Sequence, residues 1–205
     1  MTSPDIYAYK MVADNGGAPC VWRGLLSLAL CKSKIRKTAE KGSLVFGFGG
    51  KDLREPLIYI AEVTEKPKVS VYYRSAKFAK RPDCIYEDIA GRSRRKSTAR
   101  YHTQTDERRK DVGIRFENAY VLLSRNFRYF GKRGTNDYKE KFPAIKNLVE
   151  GLMQGHRRNH SSRLRSQLLD LKKQVWKQDR KMKIGTPTHA DNKRLCNENT
   201  PSVIC

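Results

Sequence analysis

The feature that most limits the folds open to this chain is the crowding of unlike segments into residues 7–50, YAYKMVADNGGAPCVWRGLLSLALCKSKIRKTAEKGSLVFGFGG. IYAYKMV (6–12) alternates side-chain size over β-forming residues, the pattern of a half-buried strand. DNGGAP (14–19) stops that pattern, because glycine accepts positive φ and proline removes an amide donor. After LLSLAL (25–30), Ser33 is placed to cap a short basic helix with Ile35 and Ala39 four apart. Gly42 is placed to close that helix in the left-handed conformation. SLVFGFGG (43–50) and LIYIAEVTE (57–65) then read as strands. A strand, a short helix and two neighbouring strands make the skeleton of a small β-barrel with helices at its mouth.

Several of these strings carry a resemblance. Y-x-Y-K (7–10), D-x-G-x-A-P (14–19), G-x-L-x-L-A-x-C-K-x-x-I-R (24–36) and VLLSRNFRYFG (121–131) resemble the second type of nucleotide modification associated domain over residues 6–134. CKSKIR (31–36) and NFRYFG (126–131) are its most specific pieces, since no common fold needs them for packing alone. The chain departs from the pattern at Cys20 and Val21, where Asn-Pro is expected, and at Ser43, where an acidic residue is usual. The helix ending in K-G, then a strand, then I-A-E-V is more distantly similar to PUA-like and EVE-like barrels. The resemblance implies an α+β fold, a small mixed PUA-like β-barrel with C-terminal helices added, and an association with modified bases in DNA.

The rest of the chain reads as support and charge. EKPKVSVYYR (65–74) fits an alternating strand or a short helix. Residues 74–110 hold twelve basic and five acidic residues around GRSRRKSTAR, a composition expected of a mobile surface loop. From residue 137 the period turns helical, with Phe142, Ile145, Leu148, Val149 and Leu152 on one face. Leu164, Leu168, Leu171 and Val175 mark a second, basic helix. The expected organisation is a domain over 1–155, a basic helical arm over 156–184 and a disordered tail over 185–205. The arm either docks on the domain of a monomer or pairs two copies.

Charge narrows the partner. Lys and Arg number 43 against 21 acidic residues in 205, a net +22 that repels itself unless a polyanion neutralises it. Nucleic acid, DNA before RNA, is the expected partner. No apolar run of about 18 residues exists to span a bilayer. Five cysteines without a C-x-x-C pair fit free thiols in a reducing, intracellular compartment.

The chemistry is less explicit. GFGGK (47–51) lacks P-loop spacing, His156 and His160 have no Glu or Cys beside them in the zincin manner, and Ser124 has no nucleophile elbow. No metal or cofactor is therefore expected. His102 in YHTQTDE, near Asp106 and Asp111, is the one place where a general base meets carboxylates. The larger constellation is aromatic and basic: Tyr7, Tyr9, Lys10, Trp22, Lys32, Arg36, Phe46, Arg128 and Tyr129, with Phe127 and Phe130 beside them. Such residues can hold an unstacked base between rings while cations read its edge and phosphates. Two functions follow: a domain that recognises a modified or flipped base, or an enzyme acting on a nucleotide or DNA base through His102 and a carboxylate.

Overall fold

The computed structural model describes residues 3–102, 105–153 and 155–190, with backbone alone at 105–107. The chain runs through Ile6–Met11 (β1), Cys20–Trp22 (β2), Leu25–Leu28 (β3), Ser33–Thr38 (α1), Leu44–Gly49 (β4), Leu57–Glu62 (β5) and Val69–Arg74 (α2). It continues with Tyr86–Ile89 (β6), Arg92–Arg95 (β7), Thr105–Asp111 (α3), Leu122–Ser124 (β8), Asn126–Tyr129 (β9), Tyr138–Lys141 (α4), Pro143–Gly151 (α5), His156–Arg157 (β10) and Ser162–Gln178 (α6). The ambiguous 65–74 segment is thus helical.

Three sheets form, with strand orders β10-β1-β4-β5-β9, β2-β3-β8 and β6-β7. β1 and β4 are parallel, joined by the crossover that contains β2, β3 and α1. β8 passes into β9 across Arg125, which links the three-stranded sheet to the five-stranded one. None of these sheets closes into a barrel, contrary to the PUA-like expectation. The large sheet stays open with both faces covered, one by α4, α5 and α6 and the other by α1 and the small sheet.

Strand alternation divides that sheet, reset once in β5 where a bulge opposite Gly47/Phe48 shifts the register. Ile6, Ala8, Leu44, Phe46, Phe48, Leu57 and Ile60 face one side, where α4, α5 and α6 bring Tyr138, Ile145, Leu148, Val149, Leu164, Leu168, Leu171 and Val175 into one apolar cluster. Tyr7, Tyr9, Val45, Tyr59, Phe127 and Tyr129 face the other, against Ile35 and Ala39 of α1 and Leu26, Leu28 and Leu122 of the small sheet. Gly47 makes the second face possible: a side chain there would run into the Tyr59 ring and the Met11 sulfur.

Local signals explain the helices. α5 starts with Pro143, whose missing amide would be unsatisfied in a first turn anyway. Ser161 caps α6, its Oγ accepting from the Leu164 amide at 3.3 Å. α6 is not a separate arm, because its leucine stripe belongs to the same core as β1 and β4. The chain after it folds back too: Tyr129 N donates to Met182 O, Lys132 N to Thr186 O and His189 N to Asp14 O. Residues 185–190, expected in a tail, therefore lie against β9 and the 14–19 turn, while 191–205 lie outside the described residues.

The basic 74–110 region is also no simple surface loop. Phe78, Cys84, Ile85, Tyr86 and Tyr101 share a third core cluster with Leu25, Leu30, Tyr72, Tyr73 and Leu123. Arg81 and Asp83, 4% and 0% exposed, fasten it to the small sheet. Asp83 accepts from Ser27 Oγ at 2.5 Å and Tyr72 Oη at 3.0 Å, and Arg81 donates to the Cys20, Trp22 and Leu25 carbonyls. Only a buried pair with its remaining hydrogen bonds filled offsets its desolvation. Among the described residues no helix is long and apolar enough to cross a membrane.

Candidate active site

Three segments that are distant in sequence meet at the β3–α1 junction. Cys31 follows β3, His102 precedes α3, and Asp111 is the last residue of α3. Cys31 Sγ lies 3.2 Å from His102 Nε2. On the far side of the ring, His102 Nδ1 lies 2.6 Å from Asp111 Oδ2, an ion-pair contact rather than a straight hydrogen bond. Thiol, imidazole and carboxylate are therefore in series, as a base needs to be to serve a nucleophile and be oriented by a third group.

The carboxylate is fixed from several directions. Asp111 Oδ1 accepts from the Cys31 amide at 2.7 Å and faces Arg36 Nη1 at 3.4 Å, and Oδ2 accepts from Tyr86 Oη at 3.4 Å. Arg36 also donates from Nη2 to the Asp111 carbonyl at 2.9 Å, from Nη1 to the Cys31 carbonyl at 3.1 Å and from Nε to the Tyr120 carbonyl at 2.7 Å. Arg36 thus ties the Cys31 backbone to that of Asp111. Burial by itself would lower the His102 imidazolium, but the Cys31 and Asp111 charges and the bonds to both raise it well above the usual 6.5.

The backbone here is held in an uncommon conformation. Cys31, Lys32 and His102 have φ of 54°, 46° and 54°, the left-handed region that side chains disfavour. Each such residue costs about 1–3 kcal/mol and persists only where its surroundings over-determine it. Lys32 is the N-cap of α1 with no side-chain cap, so Ser33 lies inside the first turn instead of capping it. Gly42 is left-handed at φ 90°, but in the turn into β4, three residues beyond the Ala39 C-cap.

The expected base-holding constellation is mostly interior. Tyr7, Tyr9, Phe46 and Arg36 are 0% exposed and Tyr129 1%, so they offer no face to an incoming base. Tyr9 Oη bonds Tyr59 Oη at 2.8 Å, and Tyr129 Oη donates to Asp14 at 2.7 Å. Arg128 stacks 4.6 Å from the Trp176 ring and donates to the Asp179 and Phe127 carbonyls. Lys10 pairs with Glu55 at 2.8 Å. Trp22 is half-exposed beneath Arg23, and Lys32 is half-buried with Nζ 4.8 Å from the Tyr9 ring. Of the constellation, Lys32 and Arg36 adjoin Cys31, and Tyr9 lies near enough to feel its charge.

His102 and Asp111 were expected from the sequence, but Cys31, on the other nitrogen of the His102 ring, was not. The available signal was a cysteine in the turn from an apolar strand to a helix, followed by lysine. Asp106, the other carboxylate expected near His102, lies outside the described side chains. Among the described residues no group of three or more His, Cys, Asp or Glu is arranged to hold a metal ion. Here the reason is geometric, as Cys31 and Asp111 sit on opposite nitrogens of one ring and do not converge.

Fold and site together define an open α+β domain with a Cys-His-Asp series under a half-exposed thiol. Across residues 3–194 the chain matches the family model of nucleotide modification associated domain 2, and it belongs to that family. The match runs beyond the 6–134 stretch of resemblance to include α5 and α6. No curated protein and no solved structure matches the chain. Family membership associates it with nucleotide modification.

Proposed function

We propose that this chain is a cysteine-dependent enzyme of nucleotide modification, transferring or hydrolysing a carbon-centred group on a nucleotide, with Cys31 as nucleophile. One observation carries the reading: Cys31 Sγ is 3.2 Å from His102 Nε2 while His102 Nδ1 is 2.6 Å from Asp111. In the first step the Cys31 proton passes to Nε2 and sulfur forms a bond to the electrophilic carbon. The group displaced from that carbon leaves with the proton from Nε2. A second nucleophile, water or an amine, then gives its proton to Nε2 and displaces sulfur, which recovers the proton. Asp111 keeps Nδ1 protonated and balances the imidazolium.

The alternative expectation, recognition of a modified or flipped base, is less well supported because the rings meant to hold that base are core. Nucleic acid keeps a place in the proposal as a polymeric form of the substrate. The exposed Arg92 and Arg94 of the β6–β7 hairpin are suited to backbone phosphates.

Alkylation tests the reading without a known substrate. Cys20 and Cys84 are buried, so iodoacetamide should label Cys31 first among these three thiols, and His102→Gln should slow that labelling. Mass spectrometry of the protein incubated with nucleotides and acyl or one-carbon donors should then find an adduct on Cys31 that Cys31→Ala lacks. Labelling of Cys31 at the same rate in wild type and His102→Gln would sink the proposal.

A further inference from the structure

A cluster of cations next to Cys31 has no role in the relay. Lys32 adjoins Cys31, and Lys34 is exposed on the first turn of α1. His156 pairs with Tyr9 across the β1–β10 edge, which puts it on the sheet face that α1 covers. Its ring centroid is 5.8 Å from that of Tyr7, and the Arg158 guanidinium is 5.7 Å from the Tyr7 ring. Arg158 is engaged with Asp5 at 2.9 Å, whereas among the described residues neither Lys32 nor Lys34 has an acidic partner. Burial first, then the charges of Lys34, Lys32 and Arg158, hold the His156 imidazole below 6.5. Like charges have been collected at a half-buried point with too little anion to balance them.

A second observation is independent of charge. The Tyr7 side chain is 0% exposed, and among the described residues its hydroxyl has no hydrogen-bond partner. Buried hydroxyls are nearly always paired, so one left open beside a cationic cluster is a donor waiting for an acceptor. Phosphate fits both requirements, since it is multiply charged and takes hydrogen bonds from ammonium, imidazolium and hydroxyl together.

We infer that Lys32, Lys34, His156 and Tyr7 form a phosphate subsite that holds a phosphoryl group of the substrate beside Cys31. The inference rests on the nucleotide-modification reading for the identity of the substrate, and the subsite itself can be measured without turnover. The phosphoryl group belongs either to a free nucleotide or to a polynucleotide backbone, and the two sources share this chemistry.

Calorimetry on the full chain would use inorganic phosphate, thymidine, thymidine 5′-monophosphate and a short oligothymidylate, with the His156 resonances followed by NMR. A phosphorylated probe should bind at least about tenfold more tightly than thymidine, and Lys34→Glu should remove that advantage. Inorganic phosphate should raise the His156 titration midpoint. Tyr7→Phe deletes a hydroxyl that has no partner among the described residues, so it should leave the melting temperature unchanged or higher while weakening phosphate binding about threefold or more. Gain by the mononucleotide alone identifies a terminal phosphate, and gain by the oligonucleotide alone identifies a backbone phosphate. Equal binding of thymidine and both phosphorylated probes, or full phosphate affinity in Lys34→Glu, overturns the subsite. Cys31→Ala should keep phosphate binding, so failure of the nucleophile and failure of the subsite are separate outcomes.

Discussion

The two faces of the five-stranded sheet are made from the same strands and differ by one residue of register. One face is dry: Ile6, Ala8, Leu44, Phe46 and Phe48 meet the apolar stripes of α5 and α6, and the main polar atom there, Tyr138 Oη, donates to the Glu55 carbonyl at 2.6 Å. The other face carries a row of hydroxyls from Tyr7, Tyr9, Tyr59 and Tyr129, and Cys31 and Lys32 lie at its edge. Burying a leucine side chain contributes roughly 1.5–3 kcal/mol, whereas a hydroxyl must be paired before it stabilises anything. The difference teaches a division of labour: the α5–α6 face supplies stability, and the α1 face uses part of it to hold buried polar groups and left-handed residues in place.

The sharpest way to break this division is to remove the base. His102→Ala should reduce Cys31-dependent turnover by about 10²–10⁴-fold, the usual contribution of a positioned general base. Its far-ultraviolet circular dichroism should be unchanged. A variant that loses the fold instead would mean that the relay is scaffold, and the two faces would not differ in kind.

Arg36 tests where the faces join. As one of the cations expected to read a base edge or phosphate, Arg36 would be dispensable for stability. Buried at 0% exposure and bonded to Asp111 and three carbonyls, it should behave in the opposite way. Arg36→Met should cost about 3–5 kcal/mol in urea unfolding, because Asp111 is left as a buried charge with one fewer partner. Cys31 alkylation should slow in the same variant, since the carboxylate that orients His102 is loosened.

The dry face gives the matching control. Leu168 is 0% exposed in the middle of the α6 stripe, so Leu168→Ala should cost about 2–5 kcal/mol by lost transfer and a residual cavity. The alkylation rate of Cys31 under native conditions should not change. Slower labelling in that variant would show that the two faces are coupled.

These two faces were not equally legible in the sequence. β1, β4 and β5 could be read because alternation is a local property, and α6 because its stripe repeats every three or four residues. The barrel could not be read, since whether a sheet closes depends on what covers it, and α6 lies more than a hundred residues from β4. His102 and Asp111 were visible as a polar cluster, but Cys31 is 71 residues from His102 in sequence, and its left-handed backbone leaves no local mark. The tyrosines were read as binding residues for their chemistry, and their burial follows from α1 and the small sheet packing across them.

The smallest expected effect is a pH dependence, and its sign distinguishes the faces once more. His102 has a folded midpoint raised above its unfolded value near 6.5, against the effect of burial, by Cys31 and Asp111. A group raised in this way contributes stability that is fully present below about pH 6.5 and is lost as pH climbs through the folded midpoint. Unfolding free energy should therefore fall above pH 6.5, by at most about 1.4 kcal/mol per pH unit for one proton. His156 and His160, both held below 6.5 chiefly by burial, act below that pH and with the opposite slope. The buried Cys20 and Cys84 thiols, pushed above 9.0 by burial, destabilise the fold only once their unfolded forms ionise. Lys32, lowered from 10.5 by burial, works the other way on the alkaline side. The difference between wild type and His102→Gln cancels all of these. It should decline as pH rises above 6.5, and the decline should shrink in Cys31→Ser, which removes the sulfur facing Nε2. The difference between wild type and Leu168→Ala should be flat over the same range, because His160, which bonds the Ile6 carbonyl at the dry face, is held below 6.5 by burial. A flat His102→Gln difference would mean that Cys31 and Asp111 do not raise the imidazole's midpoint in the folded protein.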